Sequence, residues 1–269
     1  MPILHLSFRI FLLVVSLFPV TGHAAPSAEE VVALAQQQLA APSELAQGEM
    51  KIYRNDRLDR TYAFTLARHW NVTDQIENVR VDFRSAVALE LGDSSRYADN
   101  RYLLRRTAQT PPTQWLYMPA LRRVRVTPYR PAERVLTSHY FFYDLTWILA
   151  LNDFRYRFAE NATNGNSVRL EGEPTTAFAP YQRATLTVEP RGTTYLITEM
   201  AVDSPDAQRT LQFRDFREVS PGYFRPQSSV WTSADGRTEL FFHQWSVRTI
   251  PENFFSPTQL ETQTLVISE

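Results

Sequence analysis

The chain has 269 residues, a formal net charge of −1 and no cysteine. The charge gives no signature of nucleic-acid binding. The missing thiols exclude a disulfide framework, a zinc–thiolate site, a cysteine nucleophile and a lipid-anchored N-terminal cysteine.

Residues 1–24 read as a secretory signal peptide. Arg9 is the basic start, Ile10 to Val20 is the apolar run, and Gly22-His23-Ala24 supplies small residues before a cut at Ala25. The apolar run is too short for a bilayer span, which needs roughly 20 residues. Residues 25–269 then form one exported domain. Ser27 to Leu39 reads as a helix, with Ser27 and Glu30 placed as a capping box. Val31, Leu34, Ala35 and Leu39 mark its apolar stripe, and such a stripe needs a surface to lie on. After Gly48 the apolar period changes from 3.6 to 2. Strands are expected at Met50–Tyr53, Thr61–Arg68, Val79–Phe83, Tyr102–Arg106, Gln114–Met118 and Leu121–Val126.

A helical or irregular block follows from Ser138 to Leu151, crowded with aromatics. Phe154–Phe158 returns to strand, and a meander continues through Ser167–Gly172, Arg183–Glu189, Thr194–Val202, Thr210–Val219, Phe224–Thr232 and Glu239–Val247. Turn residues such as Asn164-Gly165, Pro221-Gly222 and Asp235-Gly236 separate these runs. The whole is mainly β, with a large antiparallel sheet or open barrel.

Catalysis needs a convergent set of groups, and the sequence offers no such motif. His69, His139 and His243 lack metal-ligand spacing. No nucleophile elbow or phosphate-cradling loop occurs, and no cofactor is implied. A site on His139, Asp144 and His243 acting on a lipid or glycan is the enzymatic alternative. Aromatic and aliphatic residues are in surplus, and several strands are apolar on both faces. One reading is a doubly covered, filled core. The other is a cavity for an acyl chain, where each CH₂ withdrawn from water contributes about 0.8 kcal/mol. Trp115, Tyr117, Phe142, Leu145, Leu186, Ile197, Phe213, Phe241 and Trp245 are the candidate lining, chosen by strand parity. Arg123 and Arg125 share one face of a strand. They read either as charge on an edge strand that blocks aggregation or as a contact for a phosphate headgroup or an acidic partner.

The run Gln114-Trp115-Leu116-Tyr117-Met118-Pro119-Ala120-Leu121-Arg122-Arg123-Val124-Arg125 resembles a signature of the outer-membrane lipoprotein-sorting protein family, a LolA-like group. A second family segment corresponds to Thr137–Leu145, where Ser138, Asp144 and Leu145 match. His139 and Tyr143 stand where that family has Asp and Glu, so a role tied to those acids has no counterpart here. The resemblance implies an unclosed antiparallel β-barrel with helices as a lid over an apolar cavity. It implies a periplasmic carrier of a lipid or lipoprotein acyl chain, and a monomer is expected. The alternative it leaves is an adaptor for an inner-membrane exporter of the resistance-nodulation-division type, with no ligand of its own. Protein recovered from the periplasm after export with its own leader should begin at Ala25, which intact-mass measurement checks.

Overall fold

The computed structural model describes residues 25–85, 99–204 and 207–265. The signal-peptide reading therefore lies outside the described residues. Helix α1 spans Ala28–Leu39. Its capping box is formed: Ser27 Oγ accepts from the Glu30 N–H at 3.3 Å, and the Glu30 carboxylate accepts from the Ser27 N–H at 2.7 Å.

Thirteen strands make one antiparallel sheet among the described residues. The first half is β1 (Ser43–Arg54), β2 (Arg57–Asn71), β3 (Ile76–Ser85), β4 (Arg101–Thr107), β5 (Thr110–Met118) and β6 (Arg123–Thr127). The second half is β7 (Phe154–Asn164), β8 (Ser167–Pro174), β9 (Arg183–Arg191), β10 (Thr194–Asp203) and β11 (Gln208–Arg214). A separate hairpin, β12 (Arg217–Ser220) with β13 (Tyr223–Arg225), precedes β14 (Ser228–Ser233) and β15 (Gly236–Val247). The halves join where β1 runs antiparallel to β15, and the sheet ends at β6 on one side and β7 on the other. These edges do not pair, so the barrel is unclosed. The Tyr129 hydroxyl, in the loop after β6, donates to the Phe178 carbonyl at 3.0 Å and spans from that end to the β8–β9 loop.

The sequence reading needs three local corrections. Thr210–Val219 and Phe224–Thr232 are not continuous strands. Asp215 takes a left-handed φ of 58° and ends β11, and Pro226 separates β13 from β14. Leu121 and Arg122 do not belong to β6: Pro119–Leu121 is a 3₁₀ turn, and Arg122 has a left-handed φ of 46°. Strand β1 continues through Gly48 instead of starting after it. A Cβ there would lie 2.0 Å from the Phe241 carbonyl oxygen, so only glycine permits the close approach.

Side chains alternate between two faces. The inner face carries the large core, including Ile52, Tyr62, Phe64, Phe83, Leu186 and Trp231. Over it lie α1, the 3₁₀ turn Phe142–Leu145 and the short α2 (Trp147–Ala150). The outer face of the first half is also covered. Leu45, Ala67 and Leu103 pack there against Ile250, Phe255, Leu260 and Leu265, in the tail that contains α3 (Pro257–Thr262). This tail is why those strands are apolar on both sides.

The tail is fastened by charge as well as by apolar packing. Arg80 pairs with Asp82 on the outer face at 2.9 Å. Arg80 also donates to carbonyls at Gln259 and Gln263, and Arg101 reaches the Leu260 carbonyl at 3.0 Å. Asp82 accepts the Leu265 N–H at 2.8 Å.

On the inner face, a buried row of alternating charge crosses the first strands. Glu44 pairs with Arg225 and with Arg68, each at 2.6 Å. Arg68 pairs with Glu77 at 3.3 Å, and Arg106 pairs with Asp153 at 2.5 Å. Removing one member of a buried pair leaves the other uncompensated, which costs about 3–5 kcal/mol. Glu44→Gln should therefore lower unfolding stability by that order in urea titration. Asp59→Asn, at a partly exposed surface pair, should change it by less than about 1 kcal/mol.

Candidate functional site

The inner face holds an apolar cavity of about 60 Å³ beneath the helical segments. Its floor comes from Leu186 on β9, Ile197 and Met200 on β10, and Leu211 and Phe213 on β11. Its roof comes from Leu39 at the end of α1, Trp147 and Ala150 on α2, and Leu151. Two ring contacts shape it: Trp147 stands edge-on to Phe213 at 5.1 Å, and Tyr143 edge-on to Tyr181 at 5.7 Å. A water needs roughly 10–15 Å³ of such space, so the cavity has room for on the order of five waters. That is a fragment of a long acyl chain. Leu186 and Leu211 are buried, whereas Leu39, Ile197, Met200, Phe213 and Phe216 are only half-buried. The half-buried side marks where the cavity approaches solvent.

Polar groups in the wall are few. Asp144 sits at the closed end, fully enclosed. Its carboxylate accepts from the Tyr181 hydroxyl and from the Phe141 N–H at 2.8 Å. Behind it lies the buried guanidinium of Arg209, 3.9 Å from the Phe141 ring centre and 4.6 Å from that of Trp231. None of the three Arg209 nitrogens has a hydrogen-bond partner among the described residues. Aromatic faces solvate this cation. Burial pushes the Asp144 carboxyl up to about 6, while the Arg209 charge and the two hydrogen bonds pull the other way.

Leu186, Ile197 and Phe213, expected from strand parity, lie in the cavity wall. Phe142 and Leu145 lie on the inner face but in the packed core beside it, with Phe142 against Tyr102 at 5.0 Å. Trp245 packs on Phe242 at 4.7 Å, and its indole N–H donates to the Pro226 carbonyl at 3.0 Å. Trp115 and Tyr117 lie on the outer face, against the C-terminal tail, and Leu116 turns inward instead. Phe241 also faces outward, with the Lys51 ammonium 5.0 Å over its ring, and Phe242 takes the inner position. Arg123 and Arg125 are exposed on the edge strand β6. Sequence reasoning missed Met200, Leu211, Tyr181 and Trp147. Leu211 was within reach, since it shares strand parity with Phe213. His139 and Asp144 lie near one end of the barrel, with His139 hydrogen-bonded to Thr238 at 2.8 Å and 3.3 Å from Asp235. His243 is exposed on β15.

The Asp144 carboxyl titrates higher in the fold than in the unfolded chain. The folded state therefore holds a proton that the unfolded state releases between about pH 4 and 6. This group's contribution is full below about pH 4 and is lost as pH rises through about 6. Glu77, raised by burial, acts in the same direction. His139, lowered by burial, acts oppositely: its contribution is present above its usual 6.5 and is lost as pH falls. The diagnostic is thus the difference between wild type and Asp144→Asn. Wild-type stability relative to the variant should decline by about 2–3 kcal/mol across that window, measured by urea unfolding at stepped pH.

Three solved structures share this architecture. A domain described as an outer-membrane lipoprotein-sorting protein from Vibrio parahaemolyticus superposes with a TM-score of 0.72 at 21% identity, over 87% of this chain and 99% of that one. A DUF1329 family protein from Desulfovibrio piger gives 0.72 at 16% identity, over 88% and 100%. A LolA superfamily protein from Nitrosomonas europaea gives 0.64 at 15% identity, over 87% and 100%. The fold is therefore LolA-like: a large unclosed antiparallel sheet with few helices. A search of curated proteins found no match. A family model described as "Uncharacterized protein" matches residues 89–262, well over half of the chain, and the chain belongs to that family.

Proposed function

We propose that this protein is a periplasmic carrier that binds the acyl chain of a lipid or lipoprotein without transforming it. The observation that carries the reading is the apolar cavity between the β9–β11 floor and the Phe142–Asp153 roof. Its walls offer hydrocarbon nearly everywhere, and a tail of 14 carbons gains roughly 11 kcal/mol on leaving water. The LolA-like fold, and the lipoprotein-sorting description of a structural neighbour, support the same class of ligand. In this reading the half-buried side near Leu39, Ile197, Met200 and Phe216 is the entrance. A full tail requires these side chains to part, because the resting volume is about 60 Å³.

That small volume also fits a filled core that takes no ligand, and in this second reading the protein is an adaptor for an inner-membrane exporter of the resistance-nodulation-division type. Native mass spectrometry of protein from its own periplasm separates the two. A carrier should retain lipid near one per chain, and an adaptor should retain none. After lipid removal, a fluorescent acyl probe should bind the wild type. Met200→Trp, which fills the half-buried floor, should weaken that binding at least tenfold with little change in melting temperature. Equal probe affinity in both proteins would count against this cavity as the site.

A further inference from the structure

From Asn100 to Ala132 the chain carries seven arginines and no acidic residue, within a protein of net charge −1. Three of the seven have structural tasks. Arg106 pairs with Asp153, Arg101 holds carbonyls at the end of α3, and Arg105 reaches Glu252. The remaining four, Arg122, Arg123, Arg125 and Arg130, are all exposed. None of the four forms an ion pair or a side-chain hydrogen bond with a described residue.

They surround β6, one of the two free ends of the sheet. Arg123 and Arg125 project from the face that Leu116 and Met118 share on β5, their register partners being Met118 and Leu116. Two exposed apolar side chains flank them along the same edge, Leu121 at 47% exposure and Val126, on the opposite face of β6, at 66%. Only three other large apolar side chains among the described residues are so exposed: Leu58, Val72 and Phe158. Concentration of both features in one short stretch is not the pattern of an ordinary solvated edge, where arginines neighbour carboxylates.

We propose that the β6 edge, Leu121 to Arg130, is a docking patch for an anionic membrane surface. The four guanidinium groups meet lipid phosphates, and Leu121 and Val126 enter the headgroup zone. Guanidinium forks match phosphate oxygens in pairs, and each basic side chain near an anionic surface strengthens binding about fivefold. An acidic peptide added as a further strand would lie along Arg123–Thr127 alone. Arg122 and Arg130 lie outside that strand, in the flanking turns, and a plane reaches all four where a single strand does not. This patch does not depend on the cavity, and its failure would leave the carrier reading standing.

The test is vesicle flotation with the full mature chain. The vesicles are zwitterionic phosphatidylcholine, alone or mixed with phosphatidylglycerol. Binding is expected only with the anionic lipid, and raising salt from 0.1 to 0.5 M should release the protein as the charges are screened. The exposed quadruple variant R122Q/R123Q/R125Q/R130Q should lose at least a hundredfold in affinity, while its solution affinity for a fluorescent acyl probe stays unchanged. Equal binding to neutral vesicles, or full retention by the quadruple variant, would overturn the proposal. So would absence of vesicle binding alongside salt-sensitive binding to polyglutamate, which would assign the patch to an acidic protein. Loss of probe binding in the wild type would bear on the cavity alone.

Discussion

The fold turns on one carboxylate. Glu44 is fully buried near the start of β1 and receives two guanidinium groups, one from each half of the structure. Through Arg225 it reaches the Gln38 and Leu39 carbonyls, the unsatisfied end of α1. Through Arg68 it reaches the Leu145 carbonyl. The row continues: Glu77 accepts the Ile148 and Leu149 N–H groups at 3.4 and 3.0 Å, and Arg106 bonds the Thr146 hydroxyl at 3.2 Å. Buried charges are costly unless paired and hydrogen-bonded. Here they are spent on backbone groups that short helices leave open. An apolar face alone would let α1 and α2 slide over the sheet; fixed charges meeting fixed carbonyls give each roof segment a single position.

That arrangement divides the roof in two. The end of α1 is held by Arg225 of the β12–β13 hairpin, itself anchored on Glu44 of β1, and the Leu145–Leu149 segment is held by Arg68, Glu77 and Arg106 on β2–β4. The cavity lies over β9–β11, where Ile197, Met200 and Phe213 are only half-buried and no ion pair crosses among the described residues. Half-buried segments with few buried contacts open more readily than fully buried ones. Expansion of the small cavity is therefore easiest along the β10–β11 wall and hardest at the Glu44–Arg68 row. A guest tail would enlarge the hollow by moving floor side chains while the roof backbone stays fastened. Asp144 and Arg209 mark its closed end, where a guest meets a carboxyl and a ring-sheltered cation instead of more hydrocarbon.

How much of this was readable from residues alone depends on the range of the interaction. The α1 capping box is decided within four residues, Ser27 to Glu30, and it stands as read. Period-two runs located nearly all strands, because alternation is set by the pleat. The site required knowing which face each residue takes, and bulges break that inference. Phe241 and Trp245 have the same parity along β15, yet only Trp245 turns inward. Gln47 and Gly48 face Gln244 and Phe242, so His243 is an extra residue that flips the pattern between them. A bulge at Thr198 does the same on β10 and lets both Ile197 and Met200 line the cavity.

Trp115 and Tyr117 illustrate a different gap. Their strand is apolar on both faces, and the pattern cannot say which face meets the larger core. The tail around α3 decides it, by covering the outer face from far along the chain. The charged row was equally invisible: Glu44, Arg68, Glu77 and Arg106 lie on four successive strands, and each alone reads as an ordinary solvent-facing residue. Their spacing acquires meaning only when antiparallel pairing sets Glu44 opposite Arg68 and Glu77 opposite Arg106. What distinguishes these buried arginines from those at β6 is therefore not residue type or local pattern. It is whether a carboxylate or an open helix end lies across the sheet to receive them, and at the free edge nothing described in this chain does.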